Sequence, residues 1–69
     1  MDARLIDIVG RMHAARITGQ MLAKESGYNA SYVSEVLSGK RGTEQTIQKV
    51  MDALVRLEAA RLDDAEVQS

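Results

Sequence analysis

The side chains that could do chemistry in this 69-residue chain are a few serines, one histidine and a Gly-Lys pair. A serine nucleophile needs a general base within hydrogen-bond reach, and His13 falls on a different predicted helix with no evident partner to orient it. Gly39-Lys40 lacks the upstream glycine and the following Ser or Thr of a phosphate-binding loop. A lone histidine in a chain without cysteine makes a poor metal site. We therefore expect no enzyme, no metal site and no cofactor.

The serines suit hydrogen bonding to a partner better than catalysis. Ser31, Ser34, Glu35 and Ser38 recur at the spacing of one helical face, and small polar side chains allow close approach to a DNA groove. Directly after them, residues 39–42 form a loop in which two glycines bracket two cations. Serine can bond to either base type, and no arginine is positioned to bind guanine, so each half-site should give modest specificity.

Composition and charge limit the kinds of protein this can be. Sixty-nine residues form at most one domain. A chain of this length buries only about 60% of the surface that it exposes when unfolded, so its folded state is only marginally stable. Dimerisation would add to that stability. Apolar residues make up 45% of the chain and proline is absent, which is typical of a helical bundle. The net charge of −1 combines +2 over residues 1–49 (seven Lys or Arg, five acids) with −3 over residues 50–69 (two against five). The mildly basic body favours DNA, but its small excess limits non-specific affinity.

Helical periodicity predicts a first helix over about residues 2–15 and a last helix that begins at Thr43 or Glu44 and runs for about twenty residues. Gly10 either lets a neighbouring helix approach or is simply tolerated, and His13 is expected to be half-buried. The predicted inward positions of the first helix and the connection after it are Leu5, Ile6, Val9, Met12 and Ile17. The expected fold class is all-α: a compact four-helix helix-turn-helix domain over residues 1–64 with a long C-terminal helix, then a frayed tail, 65–69.

Between these helices, residues 18–40 have the form of a helix-turn-helix. Thr18 is the predicted cap of the second helix, and Asn29 caps the third helix, which spans residues 30–37. With Gly19 counted as the first motif position, a small residue lies at the fifth position, a turn glycine at the ninth, and apolar residues at the fifteenth and eighteenth. In this sequence they are Ala23, Gly27, Val33 and Val36.

Several short segments of this motif resemble the phage repressor and Cro family (lambda-repressor-like) of DNA-binding domains. The matching segments are Leu22-Ala23, Ser26-Gly27-Tyr28, Ser31-Tyr32-Val33-Ser34 and the VLSGKR stretch at 36–41. The resemblance covers about residues 5–57 and is most specific over 20–41. It implies an all-α fold that binds a palindromic double-stranded DNA operator as a dimer, with helix 30–37 in the major groove.

The resemblance also implies roles for individual residues, carried over by their position in the motif. The implied base contacts are Ala30, Ser31, Tyr32 and Glu35. The implied phosphate contacts are Gln20, Ser38, Lys40 and Arg41. From its chemistry alone, Glu35 could make such a base contact by accepting a hydrogen bond from a cytosine amino group, or it could simply pair with a lysine.

The last helix carries apolar side chains that one small body leaves partly uncovered. We therefore expect a homodimer interface at Leu54, Leu57 and Leu62. No signal peptide or membrane-length apolar run is visible, so a cytoplasmic protein is expected. The resemblance implies a bacterial or phage-infected cell and association with its nucleoid. No small-molecule ligand is expected.

Two functions of different kinds remain open from the sequence. The first is a transcriptional regulator of phage or mobile-element type. The second is a protein-interaction module on a helix-turn-helix scaffold, for example an antitoxin-like or inhibitor protein, or an accessory to packaging or recombination. A steep fall of DNA affinity with salt would favour the first.

Overall fold

Between residues 2 and 68, the part of the backbone that the structure describes, the chain folds into four α-helices. The structure is a computed structural model in which side chains are described over residues 2–61. The helices are α1 (Ala3–Ala15), α2 (Gly19–Ser26), α3 (Ala30–Leu37) and α4 (Glu44–Gln68). The 25 residues of α4 account for most of the molecule's longest extent, 40 Å. The predicted all-α fold with a long C-terminal helix is confirmed.

The first three helices begin at side-chain caps, as their sequences predict. Asp2 Oδ1 accepts from the Arg4 N–H at 2.8 Å, Thr18 Oγ1 from the Met21 N–H at 3.1 Å, and Asn29 Oδ1 from the Tyr32 N–H at 2.7 Å. Each cap satisfies a backbone donor that the first turn of a helix leaves without a partner. Helix starts are therefore fixed by local residues.

The end of α1 was not anticipated. Arg16 lies in the left-handed region at φ +58°, and the Ile17 N–H donates back to the Met12 carbonyl at 2.8 Å. Glycine is the usual residue at such a position because a Cβ atom strains this conformation. The sharp stop directs the chain at once into the start of α2.

The core lies where α1, α2 and α3 pack on the first half of α4. Leu22, Val33 and Leu54 are among its fully buried side chains. The buried hydrophobic residues are Leu5, Ile8, Met12, Ile17, Leu22, Ala23, Val33, Val36, Val50, Ala53 and Leu54. Each helix contributes one stripe at helical spacing, which is how an amphipathic helix buries its apolar face.

The predicted inward face of α1 was wrong by part of a turn. Ile8 is fully buried, whereas Ile6 is 58% exposed and Val9 half-buried. Leu5, Ile8 and Met12 form the i, i+3, i+7 stripe that faces the core, and Ile6 lies about 100° around the helix from Leu5. His13 is exposed rather than half-buried, because it lies on the flank of the same stripe.

Ion pairs hold α4 against the other helices. Arg4 donates to both carboxylate oxygens of Glu44 at 2.7 and 2.8 Å, and Arg11 pairs with Glu58 in the same way. The Arg4 side chain and backbone N–H also hydrogen-bond to Asp2 and lower the pKa of that carboxyl to about 2. The pKa of Glu44 is lowered as well, chiefly by its hydrogen bonds to Arg4. These contacts fix the direction in which α4 leaves the end of α3.

Candidate nucleic-acid interface

The connection between α2 and α3 has the backbone geometry that a helix-turn-helix requires. Gly27 adopts φ +85°, and the N–H groups of Gly27 and Tyr28 both donate to the Ala23 carbonyl, at 2.9 and 3.1 Å. Ala23 is itself buried between the helices, and Val33 and Val36 are fully buried on the inner face of α3. The small residue, the turn glycine and the apolar pair occupy the environments that their spacing predicts.

This packing leaves one face of α3 outward. Ser31, Ser34 and Ser38 are exposed and Glu35 is partly exposed, and we call these four residues the α3 outer face. Ala30, at the first turn of α3, is half-buried and packs against the core. The α3 outer face is therefore narrow, and its small polar side chains can hydrogen-bond to a partner.

Tyr32 is turned away from the α3 outer face. Its hydroxyl lies 3.3 Å from Thr46 Oγ1, and its ring centroid is 5.1 Å from that of Tyr28. Thr46 is buried, and Thr43 Oγ1 accepts from the Thr46 N–H at 3.2 Å. This hydroxyl network ties α3 to the first turn of α4. Sequence reasoning missed it, although Thr43 and Thr46 have the spacing of a cap and the residue that it bonds.

The loop after α3 is held by backbone bonds rather than left free. The N–H groups of Gly39 and Lys40 donate to the carbonyls of Val36 and Glu35, at 3.1 and 3.0 Å, and Gly39 has φ +85°. This is a Schellman motif, a helix end closed by a left-handed glycine. Gly42, at φ +108°, lies so close to Val36 that an added Cβ would be 3.2 Å from its side chain. The loop path is thus fixed against the core.

The two cations of this loop have different surroundings. Arg41 Nε lies 2.7 Å from Glu35 Oε2, so a residue expected to contact bases pairs with one expected to contact phosphate. Lys40 is exposed and has no carboxylate within ion-pair distance among residues 2–61. The Ser38 hydroxyl donates to the Glu35 carbonyl at 2.9 Å, which leaves its lone pairs open to a donor.

Gln20 lies at the other end of the motif. It is exposed in the first turn of α2, two residues after the Thr18 cap. The amino end of a helix carries a partial positive charge, which favours a nearby anion. Gln20 and Lys40 are thus exposed on two segments next to α3: the first turn of α2, which packs against α3, and the loop that follows α3.

The three residues expected at a dimer interface differ in their accessibility. Leu54 is fully buried in the single chain, so its own core already covers it and it is unavailable to a second copy. Leu57 is half-buried and packs against the core, and Leu62 lies outside the described side chains. Within the described side chains of α4, which end at residue 61, the large hydrophobic residue that is exposed is Val55, at 48%.

Other kinds of site were sought over the described part of the chain. Among these residues, no three His, Cys, Asp or Glu lie close enough to hold a metal ion. One surface cleft of about 540 Å³ is open and lies between α1 and the start of α2, with Val9, His13 and Arg16 on its walls. No described helix is both long and apolar enough to cross a membrane.

Comparison with protein-family models, with curated proteins and with solved structures finds no match to this chain.

Proposed function

We propose that this chain is a sequence-specific, DNA-binding transcriptional regulator of phage or mobile-element type that acts as a dimer in the cytoplasm. In this proposal α3 enters the major groove of a double-stranded operator. The observation that carries it is the α3 outer face, which is exposed and polar while the opposite face of the same helix is locked into the core. No comparison supplies this function, so it depends on the site itself.

The dimensions of the site suit a groove. Eight residues give α3 a length of about 12 Å, and the major groove of B-DNA is about 12 Å wide. Serine side chains at the outer face keep the helix thin, so its backbone can approach the base edges. Ser31 lies nearest the amino end of α3, which is the end that contacts bases in this docking mode.

The flanking groups suit the phosphate backbone. Lys40, without an acidic partner among residues 2–61, and Gln20, at the amino end of α2, would each meet one side of the groove. Few phosphate contacts of this kind predict weak non-specific binding with a shallow dependence on salt. Dimerisation would then supply much of the affinity for a two-part site.

The first experiment is selection of bound sequences from a random duplex pool at near-physiological salt. We expect enrichment of a palindrome, whose half-site spacing reports the dimer geometry. The purified protein must be folded and helical by circular dichroism. A folded protein that enriches no sequence would overturn the proposal.

A matched pair of variants tests whether the α3 outer face makes the contact. Ser34→Glu and Ala14→Glu each add one negative charge at an exposed helical position, but Ala14 lies beside Arg11, Glu58 and Arg61, where α1 meets α4. Because like charge against phosphate costs several kcal/mol, Ser34→Glu should weaken binding about 100-fold or more, while Ala14→Glu changes it little. Equal effects of the two variants would contradict the docking orientation.

The second candidate function is the protein-interaction module. The exposed Ile6 and Val55 favour it, as does the Glu35–Arg41 pair, which cancels one positive charge of the loop. A salt titration of DNA binding separates the two functions, because even two phosphate contacts lower DNA affinity about tenfold when salt rises from about 50 to about 200 mM.

A further inference from the structure

We infer that Arg41, ion-paired with Glu35, binds a guanine at the edge of the major groove and is a further specificity-determining residue, beyond the carboxyl end of α3. This inference depends on the proposed function and gives Arg41 a base contact in place of the phosphate contact that the family resemblance implied. The sequence assigned Arg41 to phosphate and Glu35 to bases, whereas their ion pair makes them a single unit at the carboxyl end of the α3 outer face.

The backbone places this unit and keeps it in place. Glu35 belongs to the last turn of α3, and Arg41 is the fourth residue after Leu37, where the helix ends. The Schellman motif reverses the chain so that the Lys40 N–H reaches the Glu35 carbonyl. The close contact of Gly42 with Val36 fixes the other side of Arg41. Backbone contacts therefore hold the chain on both sides of Arg41, as a base-contacting residue requires.

The side-chain chemistry leaves the right donors open. A guanidinium has five N–H donors in one plane. Glu35 Oε2 lies 2.7 Å from Arg41 Nε as an ion pair, not as a hydrogen bond. Within residues 2–61, no other carboxylate lies within ion-pair distance of Arg41. Among residues 2–61, no group accepts a hydrogen bond from the Arg41 side chain, and its terminal Nη groups can donate side by side to the O6 and N7 acceptors of guanine. This is the commonest specific contact of arginine in the major groove.

The charge of the unit argues against a phosphate contact. The Glu35 carboxylate neutralises Arg41 at 2.7 Å, so the pair as a whole has little attraction for a phosphate, and its carboxylate would repel one. A base edge carries no net charge and is read by hydrogen-bond geometry instead. Lys40, with no such partner, is the residue suited to phosphate.

The experiment is sequence selection from a random duplex pool, followed by a salt titration of binding to the selected sequence, with the full chain and with Arg41→Lys, Arg41→Ala, Glu35→Gln and Lys40→Ala. The unchanged protein should enrich a guanine at one fixed position of each half-site. Arg41→Lys keeps the charge but loses the fork of donors, so preference for guanine there should fall about tenfold or more while other positions keep theirs. Glu35→Gln should weaken the same preference and steepen the salt dependence, because it releases a cation.

Lys40→Ala is the control for a phosphate contact. It should lower affinity about equally for all sequences, shallow the salt slope by about 0.9 and leave the guanine preference intact. If Arg41→Lys keeps the selected sequence unchanged, or if Arg41→Ala shallows the salt slope as Lys40→Ala does, Arg41 contacts phosphate and the inference is wrong. A sequence-specific palindrome without guanine dependence would thus overturn this inference alone, whereas no enrichment by the unchanged protein would overturn the proposed function with it.

Discussion

At the scale of single residues, two glycines of this chain have different structural roles, and their backbone conformations show which role each has. Gly27 ends α2 at φ +85°, where any Cβ is strained, whereas Gly10 lies inside α1 with no left-handed geometry. An added Cβ at Gly10 would meet nothing within 4 Å. No neighbouring helix therefore requires a glycine there, and of the two explanations that the sequence allowed, simple tolerance is the one that holds.

This contrast predicts opposite effects for one substitution. Gly10→Ala should raise the free energy of unfolding by about 0.5–1 kcal/mol, because alanine reduces the freedom of the unfolded chain and favours helix. Gly27→Ala should lower it by about 1–2 kcal/mol, because it forces a Cβ into the left-handed region. Urea unfolding followed by circular dichroism measures both. Destabilisation by Gly10→Ala would show that the α1 surface is in contact with something that the single chain does not include.

At the scale of helices, the termini were predictable from sequence and the faces less so. Caps act over three residues, so Thr18 and Asn29 identify helix starts without knowledge of the fold. Ile6 and Ile8 are both apolar but about 200° apart on α1, and only packing decides which is buried. The Glu35–Arg41 pair was beyond sequence reasoning for another reason. It depends on a chain reversal after α3, not on helical spacing.

The cap and ion pairs at the start of α1 predict a dependence of stability on pH. Because folding lowers the pKa of Asp2 from 3.8 to about 2, its contribution is complete above pH 3.8 and is lost as the pH falls through 2. Asp2→Asn keeps an oxygen to cap the Arg4 N–H but removes the charge. Its melting temperature should lie below that of the unchanged protein at pH 7, and the difference should disappear near pH 2.

Asp2→Ala serves as the control for this measurement, because it removes the cap as well as the charge. It should remain less stable than the unchanged protein at pH 2, where a protonated Asp2 can still accept the backbone bond. A difference between Asp2→Asn and the unchanged protein that stays constant from pH 7 to pH 2 would show that the Arg4 pair adds nothing to folding.

At the scale of the whole molecule, α4 is longer than the surface that the other three helices offer it. The molecule measures 40 by 22 by 17 Å, and the long dimension is close to the length of a 25-residue helix. Among the side chains of α4 as far as residue 61, the last buried one is Leu54, and the next residue, Val55, is 48% exposed. Val55 and Ala59 are both exposed and lie at i and i+4, on one stripe of α4. This stripe, and not the buried Leu54, is the surface that a second copy could cover.

The homodimer that the proposed function requires is therefore expected to form through this stripe. Light scattering should give about twice the chain mass of 7.6 kDa at working concentration. Val55→Glu places a charge in the stripe and should return the mass to that of one chain, with the half-site affinity retained but the two-part operator bound at least about tenfold more weakly. Ala14→Glu, with the same added charge where α1 meets α4, should remain dimeric. A mass of one chain for the unchanged protein, both with and without operator DNA, would exclude the dimer, and a dimeric Val55→Glu would place the interface on another surface.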